Sequence, residues 1–119
     1  MLLVEDHQHV REIVTETLDG AGFAVVTSIT GPQFLDIFNE DPARYDLVIL
    51  DVDIPPPRGD ECLAVIRGKG FGTPALIVTG MPAPGLEEQL DGVAVVLRKP
   101  FTMAQLVDAA MGLVGAARV

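Results

Sequence analysis

The chain has 119 residues, 49% of them apolar, which is enough to close one hydrophobic core without disulfide or metal staples. Its formal charge of −9 argues against unaided binding to nucleic acid or to an anionic membrane surface, and is compatible with binding a cation. With five Phe, one Tyr and no Trp, the core must be built mainly from Val, Leu, Ile and Ala.

Strand-like and helix-like segments alternate along the whole chain, with no repeat and no linker. Leu2–Val4 predicts a short strand that ends at Glu5-Asp6. A helix follows from about His7 to Asp19, with Val10, Ile13, Val14 and Leu18 on one face, stopped by Gly20 and Gly22. Phe23–Thr27 predicts the second strand. GPQFLDIFNE predicts a helix that tolerates Pro32 in its first turn and buries Phe34, Leu35, Ile37 and Phe38. Asp46–Leu50 predicts the third strand, apolar on both faces, as in a parallel sheet covered by helices on both sides.

The second half repeats the alternation. A helix is expected from about Gly59 to Gly68, burying Leu63 and Ile66, then a fourth strand over Pro74–Thr79. Pro82, Pro84 and Gly85 leave room only for a short fourth helix near Leu86 to Leu90. Val93–Leu97 predicts the fifth strand. A final helix, about Thr102 to Ala116, turns Leu106, Val107, Ala110, Leu113 and Val114 inward. The pattern is (βα)5 over a single domain, residues 1–119: a doubly wound parallel α/β sheet of five strands in the flavodoxin-like order 2-1-3-4-5, with helices on both faces.

In such a sheet ligands bind at the carboxyl ends of the strands, where the winding reverses between strands 1 and 3. Glu5 and Asp6 follow strand 1, Asp51 and Asp53 end strand 3, Thr79 ends strand 4, and Lys99 follows strand 5. Crowded carboxylates raise one another's pKa, and a divalent cation relieves the repulsion. Carboxylate, carbonyl and water oxygens suit Mg²⁺ (or Mn²⁺). A carboxylate can also be a nucleophile toward phosphorus, with a metal and a lysine neutralising the phosphoryl oxygens.

These stretches, "LLVEDHQHVRE", "VILDVDIPPPRGD", "ALIVTG" and "LRKPF", resemble the response-regulator receiver domain, the CheY-like phosphoacceptor module of two-component signalling. The resemblance covers essentially the whole chain. It implies that Asp51 accepts a phosphoryl group from a histidine kinase or a histidine phosphotransfer protein. Glu5, Asp6, Asp51 and the backbone carbonyl of Asp53 would hold Mg²⁺. Thr79 and Lys99 would contact the phosphoryl group, and Lys99-Pro100 would be a cis peptide. The module would not be an enzyme beyond self-catalysed phosphorylation and dephosphorylation. It would switch a contact with a downstream protein or an attached output domain, without direct nucleic-acid or membrane contact. Two departures stand out: Val96 replaces the family's aromatic switch residue, and "IPPPRG" replaces the common Met-rich loop.

Two other functions are compatible with the sequence. Asp51-Val52-Asp53 resembles the Asp-x-Asp of haloacid-dehalogenase-type phosphatases, where the motif usually follows the first strand of a longer chain. A receiver-like docking module that ignores phosphate is the other. His7 and His9, two apart, do not share a helix face and are expected to be solvated. Cys62, the only cysteine, excludes an intramolecular disulfide and fits a reducing, cytoplasmic compartment. It is expected as a half-buried helix residue, and Met103 and Met111 as helix packing. No apolar run reaches bilayer length, and the acidic start lacks the basic region of a signal peptide.

Overall fold

In the computed structural model residues 1–80 and 93–117 are described. Five parallel strands form one sheet in the order β2-β1-β3-β4-β5. They are β1 (Leu2–Val4), β2 (Val26–Ser28), β3 (Val48–Asp51), β4 (Ala75–Thr79) and β5 (Ala94–Arg98). Four α-helices are present among the described residues: α1 (Gln8–Gly20), α2 (Gly31–Glu40), α3 (Gly59–Gly68) and α4 (Met103–Ala117). The doubly wound architecture is the one expected. The short helix expected near Leu86 to Leu90 lies outside the described residues.

Register follows from burial. Leu2 pairs with both Val26 and Val48, and Asp51 pairs with Val78. Residues of β1, β3 and β4 are buried without interruption, as parallel strands covered on both faces require. Helices α2 and α3 cover one face through Phe34, Phe38, Cys62, Leu63 and Ile66; α1 and α4 cover the other through Val14, Leu18, Leu106, Ala110 and Leu113. Four of the six aromatics gather on the α2–α3 side, with Phe23 and Phe101 on the other. Phe38 stacks on Phe34 and Tyr45 with ring centroids 6.2 and 6.1 Å away, and meets Phe71 edge-on at 5.5 Å. Each fully buried apolar side chain of this size contributes about 1.5–3 kcal/mol.

Local chemistry sets the helix starts. Helix α1 begins at Gln8 because His7, rather than Asp6, caps it, with Nδ1 accepting from the Val10 amide at 3.4 Å. Thr30 caps α2, its hydroxyl accepting from the Gln33 amide at 3.2 Å while Gln33 accepts from the Ile29 amide at 2.7 Å. Before α4 the pair is reciprocal: the Gln105 amide donates to the Thr102 hydroxyl at 3.1 Å and the Thr102 amide to the Gln105 side chain at 2.8 Å. The Lys99-Pro100 peptide is cis, and so is Pro56-Pro57, which the sequence reading did not foresee.

Four expectations are corrected. β2 starts at Val26 rather than Phe23, because Gly22 turns with φ +97 and the Phe23 amide still bonds back to Leu18. Ile13 lies at the edge of the α1 stripe and is exposed. Met111 faces solvent from α4, while Met103 packs against the core. Cys62 is fully buried, its thiol turned toward the carbonyls of Pro57 and Gly31. Among the described residues no helix is long and apolar enough to cross a membrane.

Candidate functional site

The acids meet where the topology puts them. Strand β3 carries Asp51 to the carboxyl edge with only 2% of its surface exposed, between β1, which delivers Glu5, and β4, which delivers Thr79. Glu5, Asp6 and Asp51 each present a carboxylate oxygen within 4.8 Å of the others. This all-oxygen set fits a hard divalent cation such as Mg²⁺. Glu5 and Asp51 are buried; Asp6 is exposed at the rim.

Burial, then the side-chain hydrogen bond with Asp51, push the Glu5 carboxyl up to about 8 against the opposing bond from the His7 amide. Burial, more than the expected repulsion between crowded acids, is what raises Glu5. The His7 amide donates to Glu5 Oε1 at 3.0 Å. Arg11, which sequence reasoning passed over, donates from α1 to the Glu5 carbonyl at 3.0 Å and the Asp6 carbonyl at 3.5 Å. Its signal was positional: a base one helical turn into α1 can reach back over the loop that holds the acid pair.

Lys99, the residue directly after β5, places its Nζ 3.3 Å from both Asp51 oxygens. Burial pulls its ammonium down. The charge and hydrogen bonding of Asp51, with Glu5 and Asp53, outweigh that and hold it above its ordinary value. Its side chain remains 32% exposed, whereas that of Asp51 is 3% exposed.

Asp53 contributes more than a carbonyl. Its amide donates to Asp51 Oδ1 at 2.8 Å. Its carboxylate accepts from the Gly80 amide at 2.7 Å and from Lys99 Nζ at 3.3 Å, with the Thr79 hydroxyl 3.5 Å away. The Gly80 amide was missed in the sequence, and its only hint is a glycine directly after the strand-end threonine. His7 and His9 are exposed and outside the acid cluster. Behind the polar groups the wall is apolar, with Val10, Val14, Ile49, Val78 and Phe101 lining the recess beneath Glu5, Asp51 and Lys99.

The loop after β3 is fixed by close packing. A Cβ on Gly59 would stand 2.6 Å from the Asp51 carbonyl oxygen, so only glycine lets α3 start against the strand end. Gly31, at the start of α2, abuts Pro57 with no room for a Cβ either. The Asp53 pocket, the clamped loop and Lys99 therefore surround one buried carboxylate on the switch point of a doubly wound sheet.

That fold and pocket define an α/β module with an acidic, lysine-capped site at the strand ends. Residues 1–111 match the family model for the response regulator receiver domain. The chain belongs to that family. It is 32% identical over 110 residues to the transcriptional regulatory protein YcbL of Bacillus subtilis, covering 88% of this chain and 46% of that protein. It is 29% identical over 111 residues to the cell cycle response regulator CtrA of Brucella ovis, covering 90% and 46%. The chain thus spans about half the length of the curated relatives it matches. Among solved structures it is similar to a response regulator receiver protein from Sinorhizobium medicae, with TM-score 0.87, 28% identity and coverage of 98% and 94%. It is also similar to the chemotaxis protein CheY4 of Vibrio cholerae, with TM-score 0.81, 29% identity and coverage of 94% and 95%.

Proposed function

We propose that Asp51 is the phosphoacceptor of this receiver domain, with Thr79 and Lys99 contacting the transferred group. The observation that carries this reading is the Lys99 ammonium 3.3 Å from both oxygens of a carboxylate that is otherwise buried beside Glu5 and Asp6. An Asp51 oxygen attacks the phosphorus of a phosphohistidine on a kinase or phosphotransfer protein. The O–P bond forms as the N–P bond breaks, and the leaving imidazole nitrogen keeps the electron pair and takes a proton from water. Glu5, Asp6 and Asp51, with the Asp53 backbone carbonyl, would hold Mg²⁺ (or Mn²⁺). When bound, the cation neutralises phosphoryl charge and relieves the repulsion among the acids. Lys99 balances the remaining negative charge, and the apolar wall behind Asp51 keeps water from its rear. The module acts in the cytoplasm as a single domain over residues 1–119, and turns over phosphate only through its own acyl phosphate.

Beryllofluoride, a tetrahedral mimic of a phosphoryl group on a carboxylate, tests this by calorimetric titration in the presence of Mg²⁺. Wild type binds and Asp51→Asn does not; equal binding by the two proteins removes Asp51 from the role. A second reading, a docking module indifferent to phosphate, is favoured by Val96, half-buried on β5 where the family carries an aromatic. It requires that beryllofluoride leave the surface of the wild-type domain unchanged by NMR. The phosphatase reading has lost its support, because the match is to the receiver family and Asp51-Val52-Asp53 follows the third strand rather than the first.

A further inference from the structure

We infer that the Asp53 carboxylate is an internal competitor for the phosphoryl group, seated on the donors that group needs. This rests on Asp51 being the phosphoacceptor. Three kinds of donor converge on the Asp53 carboxylate: the Gly80 amide at 2.7 Å, the Lys99 ammonium at 3.3 Å and the Thr79 hydroxyl at 3.5 Å. An amide, a hydroxyl and an ammonium aimed at one anionic group are what a phosphoryl oxygen on Asp51 would call for.

The two occupants would draw on the same donors. Gly80 lies close against them, where a Cβ would stand 3.3 Å from Asp53 Oδ2 and 3.5 Å from Lys99 Cδ. The single Lys99 ammonium is divided between Asp51 and Asp53, with Nζ 3.3 Å from an oxygen of each. The Asp53 side chain is 24% exposed, so it has a path outward to solvent. Phosphorylation then exchanges one anion for another: Asp53 leaves Gly80, Thr79 and Lys99 as the phosphoryl oxygens take them. Asp53 keeps the donor set assembled before phosphorylation and weakens the final state by the strength of its own hold.

The test compares wild type, Asp53→Ala, Asp53→Asn and Asp51→Asn at saturating Mg²⁺. Beryllofluoride affinity is read by calorimetry, and the Gly80 amide by ¹H–¹⁵N NMR. Asp53→Ala is expected to bind beryllofluoride about tenfold more tightly than wild type, a gain of about 1.4 kcal/mol. Its Gly80 amide shifts upfield before ligand is added, and that of wild type shifts only on binding. Asp53→Asn, which keeps an acceptor for Gly80 but not the charge toward Lys99, falls between the two. It also serves as the variant to read should Asp53→Ala fold poorly. Neither variant binding more tightly than wild type, while Asp51→Asn stays silent, overturns the competition and leaves the phosphoacceptor standing. Equal gains in both variants assign the effect to charge alone and also overturn it. Absence of binding in wild type sinks the Asp51 assignment, and this inference with it.

Discussion

Strands β3 and β5 each bring one charge to the same pocket, and they are built in opposite ways. β3 is central and buried along its whole length, and its Asp51 side chain is 3% exposed. β5 is an edge strand of half-buried and exposed residues, with Val95 42% exposed, and the Lys99 that follows it is 32% exposed. The carboxylate is thus fixed by its surroundings, whereas the ammonium reaches in on a flexible stem from the rim. Under the proposed phosphoacceptor role, the atom that forms and breaks a bond is the one held still, and its counter-charge is the one able to follow the anion.

Three substitutions sharpen or break that contrast. The largest effect is expected from Leu50→Ala in β3. Leu50 is fully buried one residue before Asp51, and losing its side chain costs about 3 kcal/mol from the transfer and cavity terms together. Urea unfolding gives the number, and a loss under about 1 kcal/mol would mean that β3 is not the rigid member.

The second effect is electrostatic. Glu5 is raised to about 8 by burial and Asp51, so in metal-free buffer its contribution to stability is full below its ordinary value near 4.5 and is lost as pH rises through about 8. Between those limits the folded state holds more protons than the unfolded one. Wild type should therefore fall relative to Glu5→Gln by on the order of 2 kcal/mol as pH rises from 4.5 to 8. Parallel stability curves for the two proteins refute the shift. Mg²⁺ should reduce the difference by supplying the missing positive charge. The smallest effect belongs to Val95→Ala on the edge strand, within about 0.5 kcal/mol in the same urea assay. A loss comparable to Leu50→Ala would erase the contrast between the strands.

The parts of this protein that were legible in the sequence are those set by periodicity and strand ends. Continuous apolar runs such as Leu47–Leu50 specified buried parallel strands, and the parallel order then carried Glu5, Asp51, Thr79 and Lys99 to one edge. What was not legible depends on backbone direction at single residues. The start of β2 was misplaced because the bond from Phe23 back to Leu18 leaves no trace in hydropathy. His7 caps α1 although histidine is not among the usual capping residues, and the Asp6 carboxylate lies in the acid cluster. Ile13 and Met111 have core-like side chains on the solvent side of their helices, which composition cannot separate from the buried side. The role of the Asp53 side chain rests on the Gly80 amide, a backbone group invisible to any motif.

The packing around Pro57 has a mechanical consequence. The Cys62 thiol sits 3.6 Å from the Pro57 carbonyl and 3.9 Å from that of Gly31, while Gly31 and Gly59 leave no slack against Pro57 and Asp51. The segment leaving Asp51 is wedged between two helices like a keystone, and close-packed interiors yield little to small displacements. That side of the pocket is the stiff one, and the partly exposed edge at β5 is the side with room to move.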